Sequence, residues 1–170
     1  MKTKHEIYYD KEKTKPVKNY KVDKYGYAII RDGIVHVFGF THVHAHGNSR
    51  VFCYEYTKVY GHDNTNIFAH NKSKVIAYGT SCIVATHRSI VKAYGNSCVT
   101  AGEHATVVPL GNSKVYGYQN SIIEVHGDGT PTVFITDNSN IYATSDVWEK
   151  AIYKTKFTLN QSANTCQNPT

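Results

Sequence analysis

Between residues 73 and 101 the chain reads SKVIAYGTSCIVATHRSIVKAYGNSCVTA, in which a β-branched residue, a small residue and a hydroxyl return every eight positions. No other feature narrows the fold as much, because fixed spacing over many copies marks units that stack on one another. Set out in eights from Tyr27, the first position holds Tyr27, Val35, Val43, Val51, Val59, Ile67, Val75, Ile83, Val91, Val99, Val107, Val115 and Ile123, thirteen octads without an insertion. The third position is small or apolar (Val37, Ala45, Cys53, Gly61, Ala69, Ala77, Ala85, Ala93, Ala101), and the seventh is nearly always Ser or Thr. Two extra residues at Gly129–Pro131 shift the frame, and two more octads begin at Val133 and Ile141.

Alternation of positions one and three, β-branched residues and a following Gly-Asn-Ser describe a short strand plus a corner. No single octad can bury its own Val and Ala, so the copies must cover each other. What alternates sets the coil length. From residue 79 the fifth position reads Gly79, His87, Gly95, Glu103, Gly111, Gln119, Gly127, a period of sixteen. The sequence therefore predicts an all-β fold: a parallel β-solenoid or β-roll with two octapeptide half-coils, 16 residues, per coil, two stacked parallel sheets and terminal caps. One corner is expected to be a tight Gly-Asn-Ser/Thr turn and the other wider. Residues 1–26 are expected to be an N-terminal cap or basic arm, 27–148 the solenoid, and 149–170 a C-terminal cap strand and disordered tail.

Stacking makes residues sixteen apart neighbours. One outer face then carries the ladders His44, Tyr60, Ile76, Lys92 and His46, His62, Tyr78, Tyr94; the other carries His36, Phe52, Phe68 and Phe38, Tyr54, His70. Aromatic cross-strand pairs stabilise sheets, and contiguous apolar ladders also mark contact surfaces. Tyr60, Tyr78, Tyr94 and His62 are the candidate partner-binding residues of an aromatic face, and such a face also suits a homodimer.

The chain carries 19 Lys and Arg against 13 acids, a formal charge of +6. Residues 1–24 hold eight Lys and four acids, residues 25–148 eight bases and eight acids, and residues 149–170 three Lys and one Glu. The repeat body is neutral, which argues against a long basic groove. A local basic corner remains, Lys58, Lys72, Lys74 and Arg88 against Glu55 and Glu103, flanked by Tyr56 and His104. Interleaved cations and rings suit a protein partner or phosphate and stacked bases.

In THVHAHGN, His42, His44 and His46 share one face of a strand, and His62 is expected one coil above His46. His44, His46 and His62 have spacing suited to a transition metal; with no carboxylate or thiol to complete the set, no metal or other cofactor is expected. The four cysteines have no C-x-x-C spacing, which favours a reducing compartment. Cys82 and Cys98, adjacent in one ladder, are expected as thiols and Cys53 as a small core residue. No acid pair or Ser-His-Asp arrangement points to catalysis, so a non-enzyme is expected. There is no apolar leader, nor a run of the roughly 18 apolar residues of a membrane helix; a cytoplasmic protein without membrane contact is expected.

The units VIAYGTSC, VKAYGNSC and VYGYQNSI resemble the short A-Y-G-N-S repeat arrays found in proteins of bacteriophages, mobile elements and gut bacteria. The resemblance spans residues 27–148, implies a β-solenoid and carries over no catalytic or binding residue. It implies a small phage-type inhibitor that occludes the surface of a host nucleoprotein or defence enzyme, in the anti-CRISPR or anti-restriction manner. The alternative is a structural or surface module, fibre- or envelope-associated, that self-assembles or binds glycan.

Overall fold

The computed structural model describes residues 6–18, 20–126 and 129–143, and among these every regular element is a strand. In chain order they are β1 (Glu6–Tyr8), β2 (Lys21–Val22), β3 (Ala28–Ile30), β4 (Ile34–Phe38), β5 (His42–Ala45), β6 (Arg50–Cys53), β7 (Lys58–Gly61), β8 (Asn66–Ala69) and β9 (Lys74–Ala77). There follow β10 (Cys82–Ala85), β11 (Ile90–Ala93), β12 (Cys98–Ala101), β13 (Thr106–Pro109), β14 (Lys114–Gly117), β15 (Ile122–Val125), β16 (Thr132–Ile135) and β17 (Asn140–Ala143). No helix among the described residues is long and apolar enough to cross a membrane.

Successive strands go to opposite sheets. Even-numbered strands from β4 to β16 form a first parallel sheet, odd-numbered strands from β3 to β17 a second, and the two stack as a β-solenoid of about 7 turns. The pairing fixes the coil at sixteen residues: Val35 lies beside Val51, Val59 beside Val75, Ile83 beside Val99 and Val91 beside Val107. The first and last coils depart from it. Ala28, not Tyr27, takes the inward first position and pairs with Val43, fifteen residues on, so the uninterrupted frame starts at Val35. Tyr27 turns out instead and stacks on His44. The insertion near Gly129 lengthens the last coil to eighteen, with Val115 beside Val133 and Ile123 beside Ile141. At the other end β1 runs antiparallel to β4 and β2 antiparallel to β3, so an N-terminal strand lies against the first strand of each sheet. The segment 149–170 lies outside the described residues.

The core is thin because it is made from so little. Position one supplies Val or Ile and position three Ala, Cys, Gly or, once, Pro109, and these are buried without exception from Val43 to Ile123. Volumes are matched across the gap. A Cβ on Gly61 would sit 2.5 Å from Cδ1 of Ile67, and one on Gly117 would be 2.8 Å from Oγ of Ser121 and 3.4 Å from Cδ1 of Ile123. Position seven is buried as well. Ser81 and Ser97 donate to the carbonyls of Tyr78 and Tyr94 at 2.8 Å, whereas the buried hydroxyls of Ser49, Ser73, Ser89 and Ser113 have no partner among the described residues. Ala105 fills the same position without a hydroxyl.

Both corners close with the same turn, which corrects the expectation of one tight and one wide edge. Thr57 N donates to Tyr54 O and Ser97 N to Tyr94 O, each at 3.4 Å. The fifth position is left-handed on either side: φ is 66° at Gly95 and 61°, 59° and 56° at Glu55, His87 and Glu103. A Cβ at Gly95 would meet the Gly79 carbonyl at 3.0 Å, yet Asp63 in the same column carries a side chain at φ 59°.

Cys53 is a buried thiol of the core, as expected. Cys82 and Cys98 are register partners, and burial pushes the Cys82 thiol up to about 11. Cys98, however, is disulfide-bonded and not to Cys82, a correction of the two-thiol expectation. Its side chain is half-buried at the start of β12.

Two outcomes follow from this core. Gly61→Ala should destabilise by about 1–3 kcal/mol through overpacking, and adding Ile67→Val should restore part of that loss; purely additive denaturation free energies would refute the matched-volume reading. Ser97→Ala should cost about 1 kcal/mol while Ser89→Ala is neutral or stabilising, since only the first breaks a hydrogen bond; equal losses in urea melts would show that the two hydroxyls are equivalent.

Candidate functional site

The outward positions of each strand line up into columns, and the aromatic ones stack. On the second sheet the rings of His44 and Tyr60 lie 4.8 Å apart, and His46, His62, Tyr78 and Tyr94 follow one another at 4.5, 5.3 and 5.1 Å, all within 20° of parallel. On the first sheet His36, Phe52 and Phe68 stack at 4.7 and 4.6 Å, and Phe38, Tyr54 and His70 at 4.7 and 5.4 Å. These separations are those of favourable ring pairs, each worth roughly 0.5–1.5 kcal/mol. The first-sheet face is partly covered, because Tyr8 packs edge-on to Phe38 and the Lys13 ammonium sits 4.2 Å above its ring.

The structure brings the aromatic and basic candidates onto one continuous surface. Tyr60, His62, Tyr78 and Tyr94 share the outer face of the second sheet. Lys58 and Lys74 open β7 and β9 as direct neighbours on that same face, with the Lys58 ammonium 4.9 Å from the Tyr60 ring centre. A hydrogen bond to Tyr60 holds the Lys58 pKa up. Lys72 and Arg88 stand one step away, on the corner that leads into this sheet, and Lys72 Nζ donates to Tyr56 OH at 3.3 Å.

One participant, Phe40, was not singled out from the sequence, and the acids expected to oppose the basic corner turn elsewhere. Phe40 is 78% exposed and stacks 5.1 Å from Tyr56, itself 50% exposed, so the column Phe40, Tyr56, Lys72, Arg88 places bare rings beside bare cations. A large aromatic in the sixth position of an octad was the available signal. Glu55 Oε2 accepts from Gly39 N and Glu103 Oε2 from His87 N at 2.9 Å, and Asp63 Oδ2 accepts from Gly47 N at 3.2 Å. Each carboxylate thus reaches back one coil and satisfies a corner amide. None of the salt bridges among the described residues involves Lys58, Lys72, Lys74 or Arg88.

The histidines fall into two groups. His44 Nδ1 and His62 Nε2 are 3.2 Å apart with His46 stacked beside them, and Asp23 and Asp63 approach His44 and His46 at 3.4 and 3.8 Å. Carboxylates do accompany this set, which corrects the reading made from spacing alone. On the first sheet His70 Nδ1 and His87 Nδ1 both meet Thr86 Oγ1, at 2.9 and 3.1 Å. Glu103 contacts His87 through the same Nδ1, so the two-nitrogen relay of a carboxylate–imidazole–hydroxyl triad is not formed there.

No protein-family model, curated protein or solved structure matches the chain.

Burial within the ladders depresses the pKa of His36, His44, His62 and His70 below the ordinary 6.5. Asp23, Asp63, Asp10, Glu12 and Glu103 oppose that shift without reversing it. A depressed folded pKa means that the unfolded chain binds protons first. Stability should therefore be level above about pH 7 and fall as pH drops below 6.5 toward the folded values. Urea midpoints between pH 8 and 5 check this, and a midpoint that rises on acidification would contradict it.

Proposed function

We propose that this chain is a non-enzymatic protein that binds a macromolecule through the outer face of its second sheet and the adjoining corner, acting by occlusion of the partner's surface. The observation that carries this reading is the corner column itself: Phe40 and Tyr56 are bare and stacked, and Lys72 and Arg88 continue the column with no acidic partner among the described residues. Lys58 and Lys74 extend the positive charge onto the sheet beside Tyr60 and Tyr78. Unpaired cations around exposed rings have the composition of a recognition surface, where aromatic and Arg anchors carry most of the affinity.

The partner that fits is a protein with an acidic rim around an apolar spot, such as a nucleoprotein or nucleic-acid-processing enzyme of the kind the repeat resemblance suggests. A chain of this sort needs no catalytic group, only a rigid surface placed over another. Self-association through the Tyr60, Tyr78 and Tyr94 face belongs to the same proposal, because a two-fold dimer uses one patch on both copies and these rings form one such patch.

Purified protein used as bait in a lysate, with and without nuclease, tests the reading. A stoichiometric protein that survives nuclease and is lost with Phe40→Ala/Tyr56→Ala and with Lys72→Glu/Arg88→Glu, each weakening binding by about 30-fold or more, supports it. Recovery of nucleic acid alone, or a protein whose binding ignores both double substitutions, would overturn it. Sedimentation equilibrium tests the self-association: a monomer at all concentrations removes that part.

A further inference from the structure

From the placement of five side chains at the start of the second sheet, we infer that His44, His46 and His62 form a binding site for one divalent transition-metal ion, with Asp23 and Asp63 supporting the imidazoles from outside. The site is separate from the corner column and does not depend on how that column is used.

Convergence is the first argument. His44 stands on β5, His46 follows that strand, and His62 follows β7 one coil on. One ligand atom from each lies within 4.8 Å of the others. Ladder stacking accounts for His62 above His46, because such residues are sixteen apart. It does not account for the contact across columns that sets His44 Nδ1 3.2 Å from His62 Nε2. That separation is close to the edge of a tetrahedron of nitrogens around an ion at ~2.0–2.1 Å, about 3.3 Å.

Proton bookkeeping is the second. His44 turns its other nitrogen, Nε2, toward Asp23 Oδ2 at 3.4 Å. Asp23 is itself fixed, since its Oδ1 accepts from the backbone amides of Tyr25 and Tyr27 at 2.8 Å. A carboxylate so held places the ring proton on Nε2 and leaves the Nδ1 lone pair facing His62. The two facing nitrogens then share one proton between them. A cation can take the place of that proton once His62 carries its own on Nδ1, so binding at neutral pH need not release one. This is the carboxylate–histidine–metal arrangement that orients ligands in metal sites. His46 has the same relation to Asp63, whose Oδ2 lies 3.8 Å from Nδ1 and is anchored by the Gly47 amide.

The donor set gives the ligand class. Three imidazoles with carboxylates behind them suit zinc, cobalt, nickel or copper rather than the hard cations calcium and magnesium. The rings are half-buried on an outer face, open enough for water to complete the coordination, and Tyr60 and Tyr78 stack against His44 and His62 at 4.8 and 5.3 Å and limit their rotation.

Calorimetric titration of the full chain with zinc chloride, and cobalt(II) absorption in the visible, test the inference. One equivalent should bind, with cobalt giving the intense bands of low coordination number. His62→Phe and His44→Phe keep a ring in each stack while removing the nitrogens, and each should weaken binding at least about 100-fold with the thermal transition retained. Asp23→Asn, which touches no metal, should weaken it by roughly 10–100-fold. His104→Ala, an exposed histidine elsewhere, should leave it unchanged. Long-range nitrogen-15 spectra should show His44 Nδ1 shifting on zinc addition and Nε2 remaining protonated. Absence of binding, binding that survives both Phe substitutions, or loss of it in the His104 variant would overturn the site.

Discussion

Each coil hydrogen-bonds to the next at a fixed offset, and everything else in the molecule hangs on that offset. The corners take part as fully as the strands: Lys72 N reaches Glu55 O, Asn96 N reaches Gly79 O and His104 N reaches His87 O at 2.9–3.1 Å. A single octad has two small inward side chains and no means of shielding them, so the interior exists only when coils are aligned. Alignment is unforgiving within a strand, because a slip of one residue turns every inward side chain to solvent. Irregularity is therefore confined to where it costs least. The short first coil and the long last one are both absorbed between strands, and the pairs Ala28 with Val43 and Val115 with Val133 resume the inward register on either side.

The same offset converts one-dimensional repetition into chemical rows. A residue type that recurs every sixteen positions becomes a column, and its neighbours hold its side chain. Aromatic columns concentrate in the first half of the solenoid, from Tyr27 to Tyr94 on the second sheet and from His36 to His70 on the first. Glu55, Asp63 and Glu103 at the left-handed fifth position do not join a column of charge, since each is drawn back to an amide of the preceding coil. Strain at Glu55 and Glu103, roughly 1 kcal/mol for a non-glycine residue with this φ, is offset by that charge-assisted hydrogen bond. The consequence is electrostatic. Acids that would have neutralised the corner are occupied with the backbone, and Lys72 and Arg88 face solvent.

How much of this the sequence discloses depends on whether a feature is periodic. Val35 through Ile123, the inward Ala and Cys of position three and the sixteen-residue coil are all read from repetition, because the repeat and the structure have the same period. Tyr27 misleads for the complementary reason: it sits where the repeat begins, and only pairing with Val43 shows that Ala28 holds the inward place. The equivalence of the two corners is hidden because left-handed backbone is ordinarily read from Gly or Asn, and here Glu55, His87 and Glu103 adopt it under compensation. Asp23 lies in the irregular N-terminal segment, and no periodic argument places it beside His44. Asp63 is at a corner position where only the coil below reveals that its carboxylate turns toward Gly47 and His46. The disulfide at Cys98 is equally invisible to a ladder argument, which treats Cys82 and Cys98 alike.

A surface built from columns differs from one built on loops in what it must give up to bind. Loop side chains are ordered when a partner arrives, at about 0.5–1.5 kcal/mol for each rotamer-rich chain. His62 and Tyr78 are already pinned between rings above and below, Tyr60 is stacked on His44, and Lys58 and Lys72 lie over Tyr60 and Tyr56 with part of their freedom gone. The ordering has been done in folding, by the stacking that stabilises the sheet. Binding as proposed would leave such a face with the same geometry bound and free, so that fit rather than adaptation would govern it. An ion at the histidine triad would extend that rigidity across two columns, His44 with Tyr60 and His62 with Tyr78, which the backbone alone leaves independent above the sheet. The fold thus supplies a template whose spacing is set by the hydrogen-bond ladder, and a partner of the kind proposed would have to match that spacing.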